Sequence, residues 1–435
     1  MKKIIQKILK IFAKQVIKKY KPEIIGITGS FGKTSAKEAI FCVLKNKFKV
    51  RRSSQSYNNE FGLPLTILGC SSGKKSFLKW IAIFIKGLKL IFFKDQNYPQ
   101  ILILEMGADK PNDIDYLIKI APCKIGVITD IGEVHLEKFL SLENIIKEKQ
   151  KIIQHLPWDG WAILNQDNKI IEKLKKKTEA KILSFGFSKE AELKASEILL
   201  DYELGDSKSA DLIGHPNCER TKIKGINFKI SYQGNVVPIF LTNVVGEASV
   251  YSALIAAAIG IIYKMNLIEI LEALKEYKSP PGRMNLIKGI KETLIIDGTY
   301  NASPKTVEMS LEILSRLPCL RRRWAILGDM LELGKFSEQE HKKIGKKIME
   351  SKIDVLVTLG ERAQKIAFGA KENGMPEDKI FSFNDIKEAG ILIQNEIKQG
   401  DIILIKGSRA MKMEKIVKEI IAEPLKAKEL IICKE

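Results

Sequence analysis

A glycine-rich segment near the start of the chain contains the residue types that bind phosphate. It runs from Gly26 to Ser35 as Gly-Ile-Thr-Gly-Ser-Phe-Gly-Lys-Thr-Ser, between a predicted strand and a predicted helix. Glycines let backbone amides turn inward around phosphate oxygens, and a helix N-terminus adds partial positive charge. Lys33 suits the β and γ phosphates, and Thr34 suits Mg²⁺. This shortened phosphate loop predicts a nucleoside triphosphate bound by Gly29, Ser30, Gly32, Lys33, Thr34 and Ser35.

The elements around this loop alternate between strands and helices. The apolar runs Glu23–Thr28, Gln100–Glu105 and Lys124–Asp130 predict strands, and Ser35–Leu44 predicts a helix. Such alternation favours a parallel α/β sheet. Asp201–Leu241 consists of short alternating runs broken by Gly, Asn and Pro, which predicts hairpins inserted in the same domain.

A second α/β region follows a predicted linker at Ser279–Gly282, which contains Pro-Pro-Gly. The sequence therefore predicts a mostly parallel α/β phosphate-loop domain over residues 22–281 and a Rossmann-like α/β domain over residues 282–435. The predicted strands of the second domain are Thr293–Asp297, Trp324–Leu327, Val355–Leu359 and Ile402–Lys406.

Two lysine-containing apolar segments fall outside this scheme. Residues 1–21 predict a basic amphipathic helix, with Ile4, Ile8, Phe12 and Val16 on one stripe. This helix either packs on its own domain or lies in a membrane interface. Phe77–Phe93 is dense in Ile, Leu, Phe and Trp but is shorter than the ~20 apolar residues of a membrane span. It predicts a buried or surface-lying helix.

Charge and cysteine content limit the classes of function. The net charge of +20 is compatible with an anionic substrate, an anionic membrane surface, or a general enrichment in lysine. Nucleic acid is disfavoured as a partner because no basic stretch is interleaved with stacking aromatic residues. The six cysteines include no CxxC pair, which argues against a metal cluster or disulfide framework and fits a reducing cytoplasm. No cleavable signal sequence is recognisable.

Several segments resemble the Mur ligase superfamily in sequence and in order. The short phosphate loop is similar to the form in Mur ligases and folylpolyglutamate synthases. Ile103–Ala108 resembles the strand that ends in a Mg²⁺-binding Glu, and Asp130–Glu137 the segment with a metal-binding His. The segments Asp297–Pro304, Leu327–Gly334, Lys406–Met411 and Ser56–Thr66 are also similar, the last three to the branch that adds D-alanyl-D-alanine.

The resemblance implies roles for individual residues. It implies Mg²⁺ binding by Thr34, Glu105, His135 and Lys149, the last as a carbamate, and catalytic roles for Lys33, His135 and Lys149. It places Arg283, Asp297 and Asn301 against the nucleotide, with hinge or turn formation as the alternative. It implies substrate contacts for Asn58 and Asn59. For Lys406, Ser408 and Arg409 we predict a cationic pocket that binds a substrate carboxylate, with an ordinary strand-end turn as the alternative. For Lys149 a solvated helix face stays open, because Lys147 and Lys151 are equally available.

The implied function is an ATP- and Mg²⁺-dependent ligase of peptidoglycan biosynthesis. It would join D-alanyl-D-alanine to a UDP-N-acetylmuramoyl-tripeptide through an acyl phosphate, in the cytoplasm or at the inner face of the membrane. A Mur-type ligase with another acceptor and a non-catalytic nucleotide-binding scaffold are the alternatives. Three features differ from the family: only residues 1–21 precede the phosphate-loop domain, Gly246–Ala253 lacks the usual His-Asn pair, and Gly298 replaces an Asp.

Overall fold

The computed structural model describes residues 2–53, 57–133, 136–204, 221–319 and 321–432. The chain forms two compact units. The first comprises Met1–Ile198, Phe228–Ile239 and Ala248–Tyr277, and the second comprises Leu199–Asn227, Phe240–Glu247 and Lys278–Glu435. The proposed domain limits 1–21, 22–281 and 282–435 remain a prediction.

A nine-stranded sheet has the order β2-β3-β1-β4-β5-β6-β7-β8-β9, and β2 to β6 pair in parallel with their neighbours. The predicted mostly parallel α/β sheet is therefore confirmed. Its strands are β1 (Glu23–Thr28), β2 (Val50–Arg52), β3 (Ile101–Glu105), β4 (Ile125–Ile128), β5 (Trp161–Asn165), β6 (Lys181–Gly186), β7 (Leu193–Leu204), β8 (Thr221–Tyr232) and β9 (Asn235–Thr242).

Most of the helices that accompany these strands are short, and the three longest have 16 to 19 residues. They are α1 (Lys2–Tyr20), α2 (Lys33–Leu44), α3 (Gly62–Leu68), α4 (Phe77–Phe92), α5 (Asp113–Ile118), α6 (Leu136–Phe139), α7 (Leu142–Lys149), α8 (Lys151–Gln154), α9 (Lys169–Lys173), α10 (Glu247–Ile262) and α11 (Leu267–Lys275). The predicted hairpin is present where the structure describes the chain, because β8 and β9 are neighbours joined at Gln233-Gly234. Residues 205–220 lie outside the described ranges.

The second unit contains a six-stranded sheet of order β10-β11-β15-β12-β13-β14, parallel except for β10. The predicted second α/β alternation is therefore confirmed. Its strands are β10 (Asn285–Lys288), β11 (Leu294–Gly298), β12 (Arg323–Gly328), β13 (Val355–Leu359), β14 (Ile380–Phe383) and β15 (Ile402–Lys406). Its helices are α12 (Pro304–Arg316), α13 (Ser337–Glu350), α14 (Gln364–Glu372), α15 (Ile386–Glu396), α16 (Glu414–Ile420) and α17 (Ala427–Leu430).

Helix α1 packs on its own unit, against α3 and α4. Its buried residues are Leu9, Ala13 and Val16, so the expected stripe is partly wrong: Ile4 is 63% exposed. Isoleucines occur on several sides of this helix, and the contact surface decides which of them are buried. Helix α4 lies at the surface, as expected. No helix in the described ranges is long and apolar enough to cross a membrane.

The buried face of α1 predicts a measurable contribution to stability. Because Leu9 is fully buried in the core, Leu9→Ala should lower the free energy of unfolding by about 2–5 kcal/mol. The control Ile11→Ala, at a position that is 56% exposed on the same helix, should change it by less than about 0.5 kcal/mol. Urea unfolding measures both values, and equal small effects would mean that α1 is a detached arm.

Candidate active site

The phosphate loop lies between β1 and α2 and is fixed to the segment that follows β4. Gly29 has a φ of 147°, and a Cβ atom there would lie 2.0 Å from the Thr129 hydroxyl oxygen. A side chain at this position would therefore displace the loop. The amide of Ser30 donates to the carbonyl of Asp130 at 2.7 Å. Gly32, with a φ of 79°, turns the backbone into α2.

Two lysines meet at one carbonyl oxygen of this loop. The Lys33 ammonium donates to the Gly29 carbonyl at 2.6 Å, and the Lys149 Nζ donates to the same oxygen at 3.1 Å. Lys149 is only 2% exposed, so the interpretation as a solvated helix face is wrong. Burial, reinforced by the nearby charge of Lys33, lowers the pKa of Lys149 to about 7. The amine is therefore partly neutral near neutral pH.

A buried carboxylate lies beside the first turn of α2. The parallel register pairs Ile27 with Glu105, which brings the end of β3 next to the loop. The Thr34 hydroxyl donates to Glu105 Oε2 at 3.2 Å. Glu105 Oε1 accepts no hydrogen bond of good geometry, and it lies 3.1 Å from the ammonium of Lys37. Both partners of this ion pair are 1% exposed, so removing Lys37 would leave the buried charge of Glu105 without its ammonium partner.

These residues suit a hard cation in part. The Thr34 hydroxyl and the Glu105 carboxylate are oxygen donors of the kind that Mg²⁺ prefers, and Lys149 would add oxygens only as a carbamate. Within the described ranges no group of three or more His, Cys, Asp and Glu residues forms a metal cluster. His135, also predicted as a ligand, lies outside those ranges, as does Ser56 of the segment Ser56–Thr66. The metal site therefore remains a prediction.

Lys37 was missed by sequence reasoning. Its ammonium lies within 3.2 Å of Glu38 and donates to the Ser53 carbonyl at 2.9 Å, in addition to its pair with Glu105. The available signal was its spacing. Lys37 lies one helical turn after Lys33, on the side of α2 that Thr34 also occupies.

The two asparagines predicted to contact substrate differ in what they bind. The carbonyl of Asn58 accepts the amide of Gly107 at 2.8 Å, which links it to the end of β3. The side chain of Asn59 accepts the amides of Phe61 and Gly62 at 3.2 and 2.9 Å. Asn59 therefore stabilises the start of α3.

In the second unit, Asp297 organises a turn at the end of β11. Its carboxylate accepts the amide of Gly282 at 3.0 Å, the amide of Thr299 at 3.1 Å and the Thr299 hydroxyl at 2.6 Å. Burial raises the pKa of Asp297, and these hydrogen bonds oppose that rise. The alternative of turn formation is therefore observed, while a nucleotide contact stays a prediction.

Next to this turn are two cations. The Arg283 guanidinium lies 3.7 Å from the ring centre of Tyr300, and the Lys406 ammonium donates to the Asn301 carbonyl at 3.0 Å. Burial, with the charge of Arg283, lowers the pKa of Lys406 to about 8. Lys406, Arg283 and Asn301 are thus brought together, and their roles toward nucleotide and substrate stay predictions.

Ser408 and Arg409 are held in other interactions. The Ser408 hydroxyl accepts the amide of Leu331 at 2.8 Å, and Arg409 forms a two-point ion pair with Glu414 at 2.7 and 2.9 Å. The charge of Arg409 is therefore already balanced. The cationic pocket therefore stays a prediction, and of its three residues Lys406 supports it best.

His341 was also missed. It is fully buried, and its Nε2 accepts the amide of Met330 at 3.0 Å, while Asp329 accepts the amide of Ala363 at 2.8 Å. These contacts fix the Leu327–Gly334 segment. The only feature of the sequence that pointed to His341 was the rarity of histidine, which occurs four times in the chain.

The divergent Gly246–Ala253 segment leads into α10. The Ser252 hydroxyl donates to the carbonyl of Ala248 at 3.0 Å, one turn earlier in the same helix, and Ser249 is buried. Tyr251, by contrast, donates to Asp167 at 2.9 Å and stacks near Phe187, with ring centres 4.4 Å apart. The Ser252 hydroxyl therefore bonds within its own helix.

Comparison with known proteins assigns this architecture to a class. The model of the Mur ligase middle domain matches residues 85–260, and the model described as Mur ligase, glutamate ligase domain, matches residues 282–409. A relative from Buchnera aphidicola subsp. Baizongia pistaciae is 30% identical over 93% of this chain and 76% of its own length. The chain belongs to the Mur ligase family.

Two of the relatives share a name. Both the Buchnera protein and a Bacillus subtilis protein are UDP-N-acetylmuramoyl-tripeptide–D-alanyl-D-alanine ligases. The Bacillus protein is 29% identical over 95% of this chain and 79% of its own length. The crystal structure of MurF from Acinetobacter baumannii matches with a TM-score of 0.75 at 25% identity, covering 95% of this chain and 79% of that one.

The lowered pKa of Lys149 predicts a pH-dependent stability difference. The unfolded chain, with a lysine pKa near 10.5, holds more protons than the folded chain between pH 7 and 10.5. Native stability should therefore rise with pH relative to Lys149→Met, by at most about 1.4 kcal/mol per pH unit. The variant should be the more stable protein at pH 7, with the gap closing toward pH 10.

Urea unfolding in CO₂-free buffer measures this gap. The matched control is Lys147→Met, a substitution at an exposed position of the same helix. It should show no comparable trend. A gap for Lys149→Met that stays constant from pH 7 to 10 would mean that Lys149 is charged throughout this range.

Proposed function

We propose that this protein is an ATP-dependent ligase that joins D-alanyl-D-alanine to a UDP-N-acetylmuramoyl-tripeptide, as its named relatives do. The observation that carries the proposal is the phosphate loop itself. It combines a strand-to-helix turn, two lysines on the Gly29 carbonyl and a Thr34–Glu105 hydrogen bond. This arrangement suits a chain of phosphates and an accompanying cation.

The reaction proceeds in two displacements. An oxygen of the tripeptide carboxylate attacks the γ-phosphorus of ATP, forming a C–O–P bond as the bond to ADP breaks. The amine of D-alanyl-D-alanine then attacks the acyl carbon, loses a proton, and releases phosphate with that carboxylate oxygen. Lys33 neutralises the transferring phosphoryl group, and the loop amides orient it.

Mg²⁺, when bound, supplies charge neutralisation between the phosphate oxygens. Thr34, Glu105, His135 and Lys149 would hold it. The amine of Lys149 reacts with CO₂ as its neutral form, giving a carbamate and a proton. A pKa of about 7 supports that modification, because a large fraction of the amine is neutral at physiological pH.

The second unit contributes the remaining contacts in this proposal. Arg283, Asp297 and Asn301 serve the nucleotide, with Asp297 acting by shaping the turn that carries Thr299. The substrate residues are Asn58, Asn59, Lys406, Ser408 and Arg409. Of these, Lys406 is the strongest candidate, because its buried ammonium gains most from an anionic partner.

We also propose that the enzyme works at the inner face of the cytoplasmic membrane. Residues 1–21 and 77–93 would provide a peripheral contact there, so that the acceptor peptide meets the enzyme near the membrane. Both segments are lysine-containing helices at the surface of the first unit.

ATP-dependent phosphate release tests the ligase proposal. Release should require both UDP-N-acetylmuramoyl-tripeptide and D-alanyl-D-alanine, and Lys33→Ala should reduce kcat at least ~100-fold because it removes a charge from the transition state. Lys147→Ala, on an exposed face, should retain the native rate.

Other amines and muropeptides, tested in place of the two substrates, separate the remaining alternatives. Faster release with another acceptor amine or muropeptide would move the assignment within the family. No release with any substrate pair, from protein that binds ATP, would support a non-catalytic scaffold.

A further inference from the structure

One solvent-exposed face of α4 carries only apolar side chains. An α-helix turns through about 100° per residue, so six large side chains of α4 share an arc of roughly 100°. Their exposed fractions range from 38% for Ile81 to 77% for Leu78. The lysines of the helix lie outside this arc. We call these six residues the α4 outer face: Phe77, Leu78, Ile81, Ile85, Leu88 and Phe92.

The rest of the unit fixes this orientation. The opposite side of α4 is buried through Ile83, Gly87 and Leu90, and a Cβ atom at Gly87 would lie 2.3 Å from the Phe12 ring. At the C-terminal end, the ammonium of Lys19 donates to the carbonyls of Leu90, Ile91 and Phe93 at 2.7–3.0 Å. These bonds satisfy carbonyls that a helix end leaves without partners. The helix therefore cannot roll to bury its outer face.

Helix α1 also has a solvent-exposed face, and this face is basic. By the same rotation per residue, Lys3, Lys7, Lys14 and Lys18 fall in an arc of about 60°, and all four are exposed. We call them the α1 lysine stripe. Residues 1–22 and 71–94 together contain fourteen lysines and no acidic residue, against a net charge of +20 for the whole chain. Most of the positive surplus is thus concentrated in these two segments.

The two faces are neighbours. Helices α1 and α4 pack on each other, and the ring centres of Phe12 and Phe84 lie 6.2 Å apart. Both helices bury their inner residues in one core cluster, which contains Leu9 and Val16 of α1 and Leu90 of α4. Their outer sides therefore both face away from that core, with the lysine stripe beside the apolar arc.

We propose that the α4 outer face and the α1 lysine stripe together bind an anionic lipid bilayer, with α4 lying in the interface. Apolar side chains on a helix that lies flat enter the boundary of the acyl chains, while lysines beside them attract anionic headgroups. The charge pattern favours lipid over a second copy of this chain, because two copies would bring the lysine-rich segments of both molecules together. The inference rests on the membrane contact proposed above, to which it adds the residues and the lipid chemistry, and it is independent of the ligase assignment.

Vesicle flotation of the full-length protein tests this inference. The protein should float with vesicles of equal parts phosphatidylcholine and phosphatidylglycerol, and remain unbound with phosphatidylcholine alone. The double variant Ile85→Ser, Phe92→Ser should bind anionic vesicles at least ~10-fold more weakly, because two large apolar side chains are lost from the lipid. The control Ile268→Ser, at an equally exposed isoleucine of α11, should bind as the native protein does.

The lysine stripe is tested separately. Changing Lys3, Lys7, Lys14 and Lys18 to Gln should weaken binding by roughly 5-fold per residue at low salt. The control set, changed in the same way, is Lys173, Lys176, Lys177 and Lys189, all exposed elsewhere on the first unit. Thermal unfolding should show that every variant is folded.

Three results would overturn the proposal. The native protein could fail to float with anionic vesicles, or the Ile85, Phe92 double variant could float as well as its control. Sedimentation could instead show a native dimer that the double variant dissociates, without flotation, and the outer face would then be an interface between two copies. Phosphate release with soluble substrates should be the same in the double variant and the native protein. A failure of the protein to bind vesicles would therefore leave the ligase assignment intact.

Discussion

The meeting of Lys33 and Lys149 at the carbonyl oxygen of Gly29 is the interaction on which the first unit depends. Two cationic side chains beside one another, one of them buried, repel each other and lose hydration. The structure limits this cost by lowering the pKa of Lys149 to about 7. The parallel strands β1, β3 and β4 end at the same edge, and they bring Gly29, Glu105 and Thr129 to one place. A ligand with several negative charges would balance the positive charge at this place.

The second unit also contains a buried lysine whose pKa is lowered by burial and by a neighbouring cation. Lys406 is buried at the end of β15, and its pKa of about 8 is held down by burial and by Arg283. An anion that binds beside Lys406 would favour the charged ammonium, so Lys406 would take up a proton when the anion binds. Other cations of this unit are paired with carboxylates, as Arg409 is with Glu414 and Arg322 with Asp401.

How much the sequence predicts depends on how local the signal is. The phosphate loop and strands such as Ile101–Glu105 were predictable, because a loop motif is contiguous and a buried parallel strand is a continuous apolar run. The burial of Lys149 was not, because Lys147 and Lys151 on the same stretch of chain look alike until the fold selects one. The inward side of α1 was misjudged at Ile4 for the same reason. The roles of Lys37 and His341 depend on partners distant in sequence and had no local pattern.

The central claim, that a carboxylate is activated by phosphoryl transfer at this loop, is tested most directly by isotope transfer. The acceptor tripeptide would carry ¹⁸O in the carboxylate that reacts, and the phosphate released during ligation would be analysed by mass spectrometry. The account predicts one ¹⁸O atom in each phosphate, because the oxygen that attacks the γ-phosphorus leaves with it. Amide product formed with unlabelled phosphate would contradict the account.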